Sequence, residues 1–310
     1  MKLAIIIPVY NAAKTVGETI ASLQQIEHGW EHVDQVVICD DASKDNSLQV
    51  IQQSFFDKCP LRVLRHETNK GESATYVTMV ASLSDNTAWF LILHADDLAL
   101  PNFLTRNLEI LKLCDEKVAS VSSNFRVFNG NAERLDAVER DFVIFRTGTE
   151  ENIRLTALTG CWWHISGALV NKEKWVEFGG RDAKLPCSGD WDLVLRWQLH
   201  GYTVGHSVIA TTKYRISWST TPSLSSSDVP VCRDFRDRTK VALRLPEIFH
   251  GRTKRILAFQ ILKGALLRGL KFFWQGKPLP GINAFKVGVG SFFKLLASRK
   301  KVAYPRGNKN

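Results

Sequence analysis

What the chain lacks narrows its class first. It has no stretch of about 18 uncharged apolar residues, the length a helix needs to cross a bilayer. The N-terminal apolar run, Leu3-Ala4-Ile5-Ile6-Ile7, stops at Pro8 and is too short for the core of a secretory signal. The six cysteines (Cys39, Cys59, Cys114, Cys161, Cys187, Cys232) form no Cys-x-x-Cys pair and have no histidine cluster beside them. That scatter argues against a zinc site and a disulfide framework, and the expected setting is the reducing cytosol. No Gly-x-x-x-x-Gly-Lys-Ser/Thr loop occurs, so a P-loop phosphate site is excluded. Internal repeats and low-complexity tracts are absent.

Acidic residues run out early. Glu247 is the last one, while Gly251 to Asn310 carries 14 Lys and Arg. Those 14 leave 27 of the chain's 41 basic residues against all 31 acidic ones, so the net charge of +10 becomes −4 without that segment. An even basic coat would point to nucleic acid; a mildly acidic body with a basic C-terminal stretch does not, and no nucleic-acid partner is expected. The stretch Arg252 to Trp274 sets Ile256, Leu257, Phe259, Leu266, Leu267, Leu270, Phe273 and Trp274 among Lys263, Arg268 and Lys271, and Phe285 to Lys301 repeats the character. Gly276-Lys277-Pro278-Leu279-Pro280 between them predicts a helix hairpin. Cationic amphipathic helices of this kind suit an anionic bilayer surface. The plainer alternative is a helix pair packed on the rest of the chain with its Lys and Arg in water.

Through the first half, short β-rich apolar runs alternate with helical patterns. Strands are expected at Leu3–Ile7, Val36–Cys39, Leu61–Leu64 and Trp89–Leu93. Helices are expected after the capping-box pattern Thr15-x-x-Glu18, over Ser43–Gln53 and Glu72–Leu83, and after Pro101. Such alternation predicts a parallel sheet covered on both faces, with ligands at the carboxyl ends of its strands. Pro8-Val9-Tyr10-Asn11, Asp40-Asp41 and His94-Ala95-Asp96-Asp97 stand there. Asp40 and Asp41 fit either a helix cap or contacts to a ribose or base. Asp96 and Asp97 fit a solvated turn, or a Mg²⁺ site completed by substrate phosphates. Asp190, in Ser188-Gly189-Asp190-Trp191-Asp192, suits a helix N-terminus as well as a catalytic role. Ser217–Ser227, rich in Ser and Thr, reads as a mobile loop.

Taken in order, Ile5-Ile6-Ile7-Pro8-Val9-Tyr10-Asn11, Asp40-Asp41-Ala42-Ser43-x-Asp45, Asn69-Lys70-Gly71, His94-Ala95-Asp96-Asp97 and Gly189-Asp190-Trp191-Asp192-Leu193-x-x-Arg196 resemble the family-2 inverting glycosyltransferases over residues 2 to 215. The resemblance implies an α/β GT-A fold. A Rossmann-like nucleotide-binding half on a mixed central sheet would be followed by the C-terminal basic amphipathic helices. It implies a catalytic domain over 1–245 (nucleotide-sugar half 1–115, acceptor half 116–245) and a helical extension over 246–310. It implies a nucleotide-sugar donor held by Pro8, Tyr10, Asn11, Asp41, Asn69, Lys70 and Asp96, with Mg²⁺ or Mn²⁺ on Asp96 and Asp97 and Asp190 as general base.

Two positions depart from the family pattern: His94 where an acid is common, and Gly189 where Glu often precedes the base. The Gln-x-x-Arg-Trp signature of polymerising members is absent, which favours transfer of a single sugar. The implied acceptor is a lipid-linked or lipopolysaccharide-type glycan in cell-surface polysaccharide synthesis. The implied place is the inner face of the cytoplasmic membrane, bound peripherally. A nucleotidyltransferase would share the acids but should show a Gly- and Arg/Lys-rich loop after the first strand. A non-catalytic membrane-associated partner with a degenerate transferase fold would draw only on the His94 and Gly189 departures.

Overall fold

The computed structural model describes residues 2–129, 132–134, 141–216 and 230–298. The Ser217–Ser227 loop lies outside the described residues, as do the last dozen. Four strands come first: β1 (Lys2–Val9), β2 (Val33–Asp40), β3 (Leu61–Arg65) and β4 (Thr87–Ile92). Each is followed by a helix or a tight turn: α1 (Val16–Gln24), α2 (Ser47–Gln53), α3 (Glu72–Ala81), and the bend before β5 (Leu98–Ala99) and α4 (Phe103–Leu111). The later strands are β6 (Val118–Asn129), β7 (Ala132–Arg134), β8 (Val143–Arg146), β9 (Leu169–Asn171) and β10 (Thr203–Arg215).

The sheet runs β3-β2-β1-β4-β9-β6-β10-β5, with β7 on β6 and β8 on β10. Pairing is parallel from β3 through β4 and antiparallel at β9, which sits between β4 and β6. The first-half strands are thus parallel, as their alternation with helices predicts, and the whole sheet is mixed, as the family resemblance implies. The alternation is interrupted where three-residue β9 runs against both neighbours. Leu3, Ile5, Ile7, Ile38, Leu91, Val121 and Leu169 are buried together with Ile20 and Leu23 of α1 and Phe103 of α4. This two-faced burial is why β1, β2 and β4 read as unbroken apolar runs.

The chain divides into two compact units. The first holds the whole sheet with α1–α4 and α6 (Lys172–Glu177). Within it, Gly180 takes φ +60, and a Cβ there would lie 2.7 Å from the Trp175 ring, so only glycine fits without strain. The second unit takes Glu150–Trp162, which includes α5 (Glu150–Thr159), Leu185–Leu195 from the start of α7 (Gly189–Leu199), and three C-terminal helices. These are α8 (Arg233–Arg244), α9 (Gly251–Trp274) and α10 (Pro278–Ala297). Its centre is Trp191, whose indole N–H donates to the Thr156 carbonyl at 2.9 Å beside the Phe249 ring at 5.6 Å and the Arg238 guanidinium at 5.4 Å. Gln260 of α9 donates to the Leu158 carbonyl, and Arg268 makes a two-pronged pair with Asp234 at 2.6 and 2.8 Å. The expected helix hairpin is α9 and α10. Among the described residues no helix is long and apolar enough to cross a membrane.

Candidate active site

Because β1, β2 and β4 are parallel neighbours, their carboxyl ends share one edge of the sheet, and the three polar clusters expected there do lie along it. The Asp41 N–H donates to the Val9 carbonyl at 2.8 Å, joining the first two clusters directly. Asn11 adopts φ +52 and Ala42 φ +56, so the backbone turns sharply at both strand ends. The Asn11 N–H donates to Ser43 Oγ, its Oδ1 accepts from the Lys44 N–H, and the Ala12 N–H donates to Ser47 Oγ. Pro8 is partly buried, whereas the Tyr10 ring beside it is 47% exposed and open to a ligand.

Asp41 is buried, and its carboxylate organises the next loop. Oδ1 accepts from the Lys70 N–H at 2.8 Å and meets His66 Nδ1 at 2.7 Å; Oδ2 accepts from the Gly71 N–H at 2.7 Å. The Asn69 amide reaches the Asp41 carbonyl. Asn69 and Lys70 are thus fixed beside the strand edge through Asp41, and Gly71 at φ +84 starts α3. Asp40 is also fully buried, holding the Ser43 N–H and pairing with Arg65 at 3.4 Å.

The third cluster brings His94, Asp96 and Asp97 together with one ligand atom from each lying within 4.8 Å of the others. Asp96 is exposed; Asp97 is fully buried, with Oδ1 accepting from the Arg215 N–H at 3.0 Å. Asp97 Oδ2 makes no direct hydrogen bond among the described residues, and the nearby Ser166 hydroxyl, which accepts the His94 N–H, eases the burial of the carboxylate without cancelling it. Burial, with Asp96 adjacent, pushes the Asp97 carboxyl up to about 6. A buried carboxylate oxygen without a donor is costly, and a divalent cation is the kind of group that would satisfy it. The residues present therefore fit a metal.

Two supporting groups escaped the sequence reading. Arg215, at the end of β10, donates through Nε to the Asp96 carbonyl, pairs with Glu18, and lies over the Phe128 ring at 4.5 Å. Behind His94, the Tyr76 hydroxyl bridges His94 Nε2 (2.8 Å) and Glu72 Oε1 (3.0 Å), and Glu72 pairs with Arg181. Burial would raise Glu72, but Arg181, His94 and Tyr76 together hold its carboxyl below the ordinary range. A carboxylate anchored behind a histidine in this way fixes the ring's orientation. Neither group had a local signal: Arg215 lies more than 100 residues from Asp96, Asp97 and Glu18, and Arg181 follows a glycine pair with no pattern of its own.

Asp190 is the second residue of α7, within the second unit, half-buried, its Oδ1 accepting from the Trp191 N–H at 2.8 Å.

Comparison with known proteins bears on the family and the fold. The family model described as glycosyl transferase family 2 matches residues 4–170. A Rickettsia felis protein described as an uncharacterized glycosyltransferase is 27% identical over 191 residues, 61% of this chain and 30% of its own length. The Escherichia coli UDP-Glc:alpha-D-GlcNAc-diphosphoundecaprenol beta-1,3-glucosyltransferase WfgD is 28% identical over 130 residues, 42% of this chain and 47% of its own. The chain thus spans less than half the length of these two curated relatives. Among solved structures, Staphylococcus aureus TarS 1-349 in complex with UDP-GlcNAc superposes with a TM-score of 0.69 at 17% identity, covering 95% of this chain and 81% of that one. The mannosyltransferase PcManGT from Pyrobaculum calidifontis, in complex with GDP-Man and Mn²⁺, gives 0.57 at 14% identity, covering 96% and 88%. At such identity these likenesses speak for the GT-A fold alone. With its strand-edge clusters in place and more than half of its length matched by the family model, the chain belongs to glycosyl transferase family 2.

Proposed function

We propose that this protein transfers a single sugar from a nucleoside-diphosphate sugar to an acceptor hydroxyl, with inversion at the anomeric carbon. One observation carries the reading: the His94–Asp96–Asp97 cluster, in which a buried Asp97 oxygen makes no direct hydrogen bond among the described residues, on the strand edge that also presents Tyr10 and the Asp41-anchored loop. Tyr10 offers an exposed ring for base stacking, and Pro8 and Asn11 shape the turn beneath it. Asn69 and Lys70, held by Asp41, supply an amide and a cation for ribose and diphosphate. Asp96 and Asp97 would hold Mg²⁺ or Mn²⁺, whose charge would offset the charge that builds on the departing diphosphate. Arg215, bonded to both acids' segment, keeps that turn in one conformation. Asp190 takes the acceptor hydroxyl's proton as its oxygen attacks.

A lipid-linked glycan is the acceptor class we favour, because the name of the E. coli relative describes transfer onto a diphosphoundecaprenol-linked sugar. In this reading residues 1–245 carry out the transfer, 1–115 on the donor side and 116–245 on the acceptor side. Residues 246–310, with no acid after Glu247, hold the enzyme peripherally to the anionic inner face of the cytoplasmic membrane. The test is a panel of nucleotide sugars with and without Mg²⁺ or Mn²⁺, beside Asp190→Asn. Metal-dependent release of nucleoside diphosphate from one donor, with Asp190→Asn binding that donor but failing to transfer it, is the expected result. Failure of every donor to bind would overturn the reading.

A further inference from the structure

The helix hairpin has a polarity that its sequence composition does not show. The exposed apolar residues of α9 are Phe259, Leu266, Leu267, Leu270, Phe273 and Trp274. At the helical 3.6 residues per turn they fall within an arc of about 120°, on the side away from the buried Leu257, Ile261, Ala265 and Phe272; exposed Lys263 interrupts that arc, and from Leu266 to Trp274 it is apolar. On α10, Leu279, Ile282, Val289, Phe293 and Leu296 are exposed in the same manner. Ring contacts join the helices: Phe259 to Phe292 at 5.1 Å, and Phe273 stacked on Phe285 at 5.7 Å. Gly269 and Gly288 allow this closeness, since a Cβ on either would meet Phe285 or Ala265 within 2.6 Å.

The two ends of the hairpin differ. At its open end, where Lys254 Nζ donates to the Ser298 carbonyl, Arg252, Arg255 and Lys294 are exposed, so the apolar Phe293 and Leu296 there are mixed with cations. At its closed end, Trp274 is 90% and Leu279 78% exposed, with Leu270, Phe273 and Ile282 beside them and Lys271 and Lys277 flanking. Large side chains as exposed as these are unusual on a soluble surface when they are grouped. A tryptophan and leucines edged by lysines match the boundary between lipid tails and headgroups.

We infer that the closed end of the hairpin, Leu270, Phe273, Trp274, Leu279 and Ile282, is a wedge that enters an anionic bilayer. Lys271 and Lys277 stop at the headgroups, and the hairpin stands tilted rather than lying flat. The inference deepens the membrane reading above and rests on it. Charge weighs against the symmetric dimer of such a face: neither helix carries an acid, so two copies docked hairpin to hairpin would bring cations against cations. Anionic headgroups reverse the sign of that interaction.

The test is flotation of the full chain with phosphatidylcholine vesicles, with and without phosphatidylglycerol. It should co-float only when phosphatidylglycerol is present and release in high salt. Lipids brominated along their tails should quench the fluorescence difference between wild type and Trp274→Phe, and a matching label at Arg252 should remain unquenched. Trp274→Ser with Leu279→Ser should weaken vesicle binding by about tenfold or more with unchanged helix content by circular dichroism. Equal quenching at both ends would refute the tilt. Wild-type binding to neutral vesicles alone, or undiminished binding by the double variant, would refute the wedge. So would a concentration-dependent dimer that the double variant abolishes. Donor binding by calorimetry without vesicles reports on the transferase reading separately, so either can fail alone.

Discussion

Replacing Asp41 by Asn keeps the shape of the side chain and removes its charge. In the wild type the carboxylate receives the Lys70 and Gly71 N–H groups and faces His66 Nδ1, all within 2.8 Å and at 3% exposure. Asparagine has one oxygen to offer. Whichever way it turns, its NH₂ points at a backbone N–H or at the imidazole. Loss of a charge-assisted hydrogen bond costs about 1.5–3 kcal/mol, and a buried donor left facing a donor about 1–3 kcal/mol more. The sum is roughly 3–5 kcal/mol, which for a unit of this size lowers the melting temperature by roughly 10 °C. Calorimetry of the purified chain measures that shift, and nucleoside diphosphate titration measures a second effect: weaker binding, because Asn69 and Lys70 ride on the loop that Asp41 holds. A variant melting within a degree or two of wild type would refute the assignment of Asp41 as the anchor of this loop.

Other consequences are equally direct. Because burial raises the Asp97 carboxyl from 3.8 to about 6, the folded chain binds the proton more tightly than the unfolded one. Its contribution to stability is fully present below pH 4 and is lost as pH rises through 6, about 3 kcal/mol in all. The melting temperature of wild type minus that of Asp97→Asn should therefore fall between pH 4 and 7, while divalent cation affinity, which needs the carboxylate, should fall as pH drops below about 6. Glu72→Gln removes the negative partner of the Glu72–Arg181 pair and the charge that Tyr76 donates to, and should cost about 1.5–3 kcal/mol in denaturant unfolding. The paired change Glu72→Leu with Arg181→Met should recover much of that loss. Gly180→Ala drives a methyl into the Trp175 ring at an unfavourable φ and should cost about 2–4 kcal/mol by the same assay.

The strands of the first half were legible because both faces are buried and their apolar runs are unbroken, and the strand-end rule located the acids. Local signals failed where a side chain had a distant partner. Thr15-x-x-Glu18 reads as a capping box, yet the Thr15 hydroxyl donates to the Ala12 carbonyl and Glu18 pairs with Arg215, so α1 begins without that cap. The helix expected from Ser43 begins at Ser47, because Ser43 and Asp45 accept the Asn11 and Ala13 N–H groups and are committed to the neighbouring turn. Capping residues and turn residues are the same types, and only the partner tells them apart. The antiparallel insertion of β9 had no signal at all in three residues.

The second unit gathers its parts from three separate stretches of sequence. Trp191 leans on Phe249 and Arg238, and Leu158 is capped by Gln260. The C-terminal helices are therefore not a handle that can be cut away. A chain shortened to residue 245 would strip Phe249 from Trp191 and Gln260 from α5, loosening the ground on which Asp190 stands. Loss of activity in such a truncated protein would then be a folding defect wearing the appearance of a lost membrane anchor. Point changes at the surface of α9 and α10 are the cleaner instrument for separating address from chemistry.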